Sequence, residues 1–203
     1  MLTSFVDVQQ NSPEWFDLRL GKITGSKFGT VMANYGKAFG NPALEYADML
    51  ALERAKGERI DEGFSNQWMD RGHELEPVAR REYELFTFDD VTNGGIFISG
   101  DYAVSPDGCV GDDGLIEIKC VKYTTHMDRL RKGGIDLKYK WQIQGALWLT
   151  DTSWCDFISY CPEMTEAKQL YICRVYPDPE MFEQLEERLH EFNLLVTKTQ
   201  KLL

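Results

Sequence analysis

The hydrophobic pattern changes period in the middle of this chain, and that change restricts the architecture more than any other feature. Gly95-Ile96-Phe97-Ile98-Ser99, Tyr102-Ala103-Val104-Ser105 and Leu115-Ile116-Glu117-Ile118-Lys119-Cys120 are short β-rich segments separated by Gly-Asp and Asp-Gly turns, the marks of a meander. On either side the period is helical. Ser12-Pro13-Glu14-Trp15 reads as an N-cap followed by proline at the first helical position, with the helix ending near Gly21. A short helix from Thr24 places Phe28, Val31 and Met32 on one face, and Tyr35 to Gly40 is a Gly-rich loop. Helical patterning resumes from Pro42 to Lys56 and again from Ser65 to Phe86, where Pro77 is expected to bend or split the helix. It returns over Tyr139 to Leu149, beyond the basic stretch Arg129-Leu130-Arg131-Lys132-Gly133-Gly134. Two strands, Cys155 to Tyr160 and Gln169 to Tyr176, lead to a C-terminal amphipathic helix from Pro179 to Lys201. The order predicts an α/β fold of mixed α+β type, with helices packed around one mixed sheet.

A chain of 203 residues is long enough for one substantial core and short for two, so residues 1–203 are expected to form a single domain. No apolar run approaches the roughly 18 to 20 residues that span a bilayer, and the first residues lack the pattern of a signal peptide, so no membrane partner and a cytoplasmic location are expected. The five cysteines contain no C-x-x-C pair and the three histidines are scattered, which suggests neither zinc nor an iron-sulfur cluster. A net charge of -11 argues against simple nucleic-acid binding, because neutralising phosphates takes Lys and Arg. Carboxylates that collect metal ions, or a basic lining inside an acidic exterior, would answer that objection.

Chemistry points to Ser105-Pro106-Asp107-Gly108 and, ten residues after Asp107, to the triplet Glu117-Ile118-Lys119. Side chains alternate along a strand, so Glu117 and Lys119 emerge on one side while Ile118 turns into the core. A hairpin return from the Pro-Asp-Gly turn brings Asp107 alongside Glu117. Two adjacent carboxylates repel unless a cation neutralises them, and oxygen ligands favour Mg²⁺ or Mn²⁺ over zinc. Such a site suits phosphodiester hydrolysis, with Lys119 beside the attacking water and the Ile118 carbonyl as a further ligand. The bare spacing is equally that of a solvated strand face whose Glu117 and Lys119 form cross-strand ion pairs.

The Pro-Asp, Glu-x-Lys arrangement resembles the PD-(D/E)-x-K nuclease superfamily, and the wider pattern resembles the viral recombinases of phage lambda exonuclease (alkaline exonuclease) type. The resemblance is carried by Trp15 to Ser26, Arg71-Gly72-His73-Glu74-Leu75-Glu76, Ser105 to Gly108, Leu115 to Cys120, and Trp141 to Trp148. It implies a restriction-endonuclease-like core, metal-binding carboxylates at Asp107 and Glu117, a catalytic lysine at Lys119, a further acid at Glu76 and a water- or metal-positioning glutamine at Gln142. Arg19 and Ser26 correspond to a 5′-phosphate pocket, and Met69 or Trp68 to an apolar wedge that parts the strands. The implied activity is a Mg²⁺-dependent 5′-to-3′ exonuclease, phage or prophage encoded, with two ions per site. It would digest one strand from double-stranded DNA ends, leaving 3′ overhangs for recombination with a single-strand annealing protein. The implied assembly is a ring-shaped homotrimer, with Lys122, Arg129, Arg131, Lys132, Lys138 and Lys140 as candidates for its channel lining.

By local pattern alone, Gln142 reads as a solvent-facing helical glutamine, Ser26 as a cap-region serine, Arg19 as a surface charge, the basic stretch as a solvated loop and Trp68 as core. Alternatives to the exonuclease are a restriction-like or helicase-associated endonuclease and a catalytically silent DNA-binding module.

Overall fold

The computed structural model describes residues 2–60 and 67–203, with side chains described for 2–60 and 71–203. Strand β1 (Ser4–Val6) precedes α1 (Pro13–Leu18), which is capped by Ser12, whose hydroxyl accepts from the Trp15 amide at 3.2 Å. The helix stops earlier than the pattern near Gly21 suggested, and a tight turn leads into β2 (Ile23–Thr24) and α2 (Gly25–Met32). Helix α3 (Asn41–Lys56) carries Pro42 in its first turn and closes at Gly57, whose left-handed φ of 70° suits a residue without a Cβ. Helix α4 (Gln67–Thr87) continues through Pro77. Both Pro77 and His73, four residues earlier, are exposed, so the ladder bond that proline removes falls on the side where water can serve the freed carbonyl.

The strands that follow are β3 (Val91–Thr92), β4 (Ile96–Ser99), β5 (Tyr102–Val104), β6 (Gly108–Val110) and β7 (Gly114–Cys120). Then come α5 (Tyr123–Lys132), a 3₁₀ turn at Leu137–Tyr139, α6 (Lys140–Thr150), β8 (Trp154–Tyr160), β9 (Leu170–Val175) and α7 (Pro179–Gln200). They form two sheets rather than one: β1-β4-β5-β2 and β3-β6-β7-β8-β9. The division falls at Ser105-Pro106, where proline has no amide hydrogen to continue a ladder. The basic stretch is also corrected, since Arg129, Arg131 and Lys132 lie in the last turn of α5, where cations suit the helix dipole.

The larger sheet separates two cores. On one face Leu115 and Phe157 pack with Phe28, Leu50, Ile143, Leu147 and Phe192 from α2, α3, α6 and α7. On the other, Ile116, Ile118 and Ile158 meet Ala79 and Tyr83 of α4. Because side chains alternate, Glu117 and Lys119 point to the first face and Ile118 to the second. Parallel pairing of β7 with β8, Glu117 opposite Phe157 and Lys119 opposite Ser159, requires a crossover, which α5 and α6 supply. The crossover brings α6 over the carboxylate. Trp68 and Met69, the wedge candidates, lie outside the residues whose side chains are described.

Candidate active site

Register puts the acids together. Gly108 pairs with Ile116 in the antiparallel β6–β7 ladder, and one step beyond that pair Asp107 stands opposite Glu117. The Asp107 amide donates to the Ile116 carbonyl at 3.0 Å, and its Oδ2 accepts the Ile118 amide at 2.6 Å. Glu117 is only 3% exposed, which rules out the solvated strand face. Its Oε1 accepts Gln142 Nε2 at 2.6 Å and pairs with Lys119 Nζ at 2.5 Å. Gln142 therefore reaches inward from α6. The Lys119 ammonium also lies 5.2 Å from the ring centroid of Tyr139.

Glu76, from α4, lines the same cavity of about 580 Å³ as Asp107, Glu117, Ile118, Lys119 and Gln142. Three carboxylates there face one ammonium. Burial, then the opposing pull of Lys119 and the push of Asp107, leaves the Glu117 carboxyl raised to about 7. Burial and the Asp107 charge likewise lift Glu76 to about 7, while the surrounding carboxylates hold Lys119 firmly protonated despite its own burial. Such a cluster is short of positive charge.

Among the described residues, no three His, Cys, Asp or Glu side chains form a ready-made metal cage. Magnesium does not need one, being held typically by one or two carboxylates with waters and substrate phosphates. Asp107 Oδ1 and Glu117 Oε2 accept no hydrogen bond from the described residues, so both acids keep an oxygen for a ligand. The donor set fits a hard divalent cation.

The cavity lining also includes a guanidinium. Arg19 caps the end of α1, its guanidinium carbon 4.0 Å from the ring centroid of Trp15, four residues earlier. Burial, opposed by Tyr46 but reinforced by nearby Arg59, lowers Arg19 to about 10, so it stays charged at neutral pH. It has no carboxylate partner within ion-pair distance among the described residues. Ser26 is exposed in the first turn of α2, whose N-cap Thr24 makes no side-chain capping bond. A half-buried guanidinium beside an uncapped helix start is suited to an anion. Both residues line the cavity that holds the carboxylates.

Residues 14–153 match the profile of the YqaJ-like viral recombinase domain, a span that contains every one of these side chains. The chain belongs to that family. Among solved structures, the chain resembles LHK-Exo in complex with dAMP, with a TM-score of 0.85 and 33% identity over 94% of this chain and 95% of that one. The alkaline exonuclease LHK-Exo from Laribacter hongkongensis, in a second structure, gives a TM-score of 0.79 and 32% identity, covering 94% and 97%. A phage-related exonuclease from Haemophilus somnus 129PT shares the fold at a TM-score of 0.70 with 14% identity, covering 89% and 94%. No curated protein matches the chain.

Several residues that line the cavity have no role in the sequence pattern. Trp15 Nε1 donates to Ser105 Oγ at 2.7 Å, and both line the cavity with Gln10, Asn11, His73 and Tyr139. The four-residue spacing of Trp15 and Arg19 was the one available hint of their stacking. Of the basic residues considered for a DNA channel, Lys132 pairs with Asp128 at 2.9 Å and Lys138 with Asp136 at 3.4 Å, while Arg129 donates to the Ile135 carbonyl at 2.8 Å. Lys122 caps α5, Arg131 lies within it and Lys140 begins α6. No described helix is long and apolar enough to cross a membrane.

Proposed function

We propose that the chain is a metal-dependent DNA exonuclease that removes nucleotides 5′ to 3′ from the ends of linear duplex and leaves a 3′ single strand. The observation that carries this is one cavity lined both by a carboxylate-lysine-glutamine cluster and by an arginine that has no carboxylate partner among the described residues, with the first turn of a helix beside them. Asp107, Glu117 and the Ile118 carbonyl would hold one or two Mg²⁺ or Mn²⁺ ions, with Glu76 close by. When bound, such ions acidify water and neutralise charge on phosphate oxygens.

The chain's own groups orient the reaction. Lys119, kept protonated by its carboxylates, donates to the attacking water or to the phosphoryl oxygens as negative charge develops. Gln142 holds Glu117 in one rotamer by its bond to Oε1. Arg19 and Ser26 grip the 5′-phosphate, so each cut presents the next linkage to the same carboxylates. LHK-Exo has been captured with dAMP, a mononucleotide of the kind that stepwise digestion releases. A ring of three subunits around the duplex would gather basic residues inside an acidic exterior and reconcile DNA binding with the net charge of -11. Membership of a viral recombinase family supports a place in phage-type recombination beside a single-strand annealing protein.

The test is linear duplex labelled at either end, with and without a 5′-phosphate, incubated with Mg²⁺ or Mn²⁺ alongside covalently closed circular duplex. Label should leave first from the phosphorylated 5′ end, circular DNA should persist, and Lys119→Ala should be slower by about 10² or more. Nicking of the circle would mark an endonuclease. No digestion by the wild-type chain, or equal digestion by Lys119→Ala, would refute the proposal.

A further inference from the structure

We infer that Arg80 and Gln10 are positioning residues that clamp the turn carrying Asp107 by its three consecutive carbonyls. The inference rests on the nuclease function proposed above. Gln10 Nε2 donates to the Ser105 carbonyl at 3.3 Å and to the Pro106 carbonyl at 2.9 Å. The Arg80 guanidinium donates to the carbonyl of Asp107 itself. The turn sits where the two sheets part, so the clamps supply bonds at the point where the sheet ladder breaks. Gln10 approaches from the segment before α1 and Arg80 from α4, so the turn is held between elements far apart in sequence.

The location of Arg80 adds a second reason. It follows Glu76 by four residues on the same helix, near enough for its charge to oppose the rise of that carboxyl, and its field also reaches Cys109 beyond the turn. Yet no carboxylate among the described residues stands within ion-pair distance of it. A cation bonded to a backbone carbonyl steadies the cluster without occupying the acid oxygens that a metal or substrate needs. Gly94 closes the remaining side, because a Cβ there would overlap the Pro106 carbonyl. The clamp therefore fixes the separation of Asp107 from Glu117, and a displacement of about 1 Å at such a site is enough to cost about 10² in rate.

The test compares wild-type chain with Arg80→Gln, Arg80→Lys and Gln10→Ala. Mn²⁺ alone is titrated calorimetrically into protein without DNA, melting temperatures are recorded, and kcat and KM are measured on linear duplex. Arg80→Gln should weaken Mn²⁺ binding by about tenfold and lower kcat by about 10², with KM for DNA changed by no more than about threefold. Arg80→Lys should restore part of both, and Gln10→Ala should show a smaller loss of the same kind. Wild-type Mn²⁺ affinity in Arg80→Gln overturns the clamp, as does a loss that Arg80→Lys does not relieve or that follows the melting temperature alone. If the wild-type chain digests no DNA, the nuclease proposal fails, while the Mn²⁺ titration still decides whether Arg80 and Gln10 organise the carboxylates.

Discussion

Chelated, metal-free protein should lose stability as the pH rises from about 5 to 8, and Glu117→Gln should remove most of that loss. Burial raises the Glu117 carboxyl from the ordinary 4.5 to about 7, so folding takes up a proton between those values. Below 4.5 both folded and unfolded chains hold the proton and nothing is lost. Above about 7 the folded chain must keep an ionised carboxylate that is 3% exposed, and the stability present in acid is gone. At 1.36 kcal/mol per pH unit, the interval is worth on the order of 3 kcal/mol. Glu76 shifts in the same direction but is half-exposed, so its share is smaller. Urea midpoints measured with EDTA at each pH unit read the effect, expected as a fall of about 1 to 2 M across the window. Excess Mn²⁺ should flatten the profile at its alkaline end, because a bound cation replaces the proton. A flat wild-type profile in EDTA, or an unchanged slope in Glu117→Gln, would show that Lys119 and Gln142 already compensate the buried charge.

Arg19→Ala should abolish any preference for 5′-phosphorylated over 5′-hydroxyl ends, a loss of about tenfold or more in kcat/KM on the phosphorylated substrate alone, as read by end-labelled digestion. Gly94→Ala should displace the Asp107 turn and lower both Mn²⁺ affinity and melting temperature, since the added Cβ has no room beside Pro106 and Gly108; calorimetry and thermal melting check both. Tyr83→Phe removes the 2.8 Å bond to Asp156, which Arg174 still pairs at 2.8 Å, so urea denaturation should record a cost of about 1 kcal/mol with kcat little changed.

Strands β4, β5 and β7 were legible as β-rich runs set off by turn residues, and helices α2, α3, α6 and α7 because each repeats its apolar positions at the helical period. The short strands β1, β2, β3 and β6 were not, since their two or three residues stand outside such runs, and β6 begins with the Gly108 of a turn sequence. Helix α5 was missed for a related reason, its basic last turn before two glycines looking like a loop. The pairing of Asp107 with Glu117 could be anticipated because a hairpin is local. That Glu117 is buried could not, because burial depends on α6 folding back across β7 after the crossover.

What the linear chain determined by itself was the order of elements and the alternation that sends Glu117 and Lys119 to one face and Ile118 to the other. These follow from interactions between residues a few positions apart, where backbone geometry leaves few choices. Tertiary structure alone decided that Gln10 would meet Ser105 and Pro106, that Gln142 would meet Glu117, and that Arg19 would share a cavity with the carboxylates. The hydrogen-bonded pairs among them span between 25 and 96 positions, and only the packing of helices onto a divided sheet brings such distant residues together.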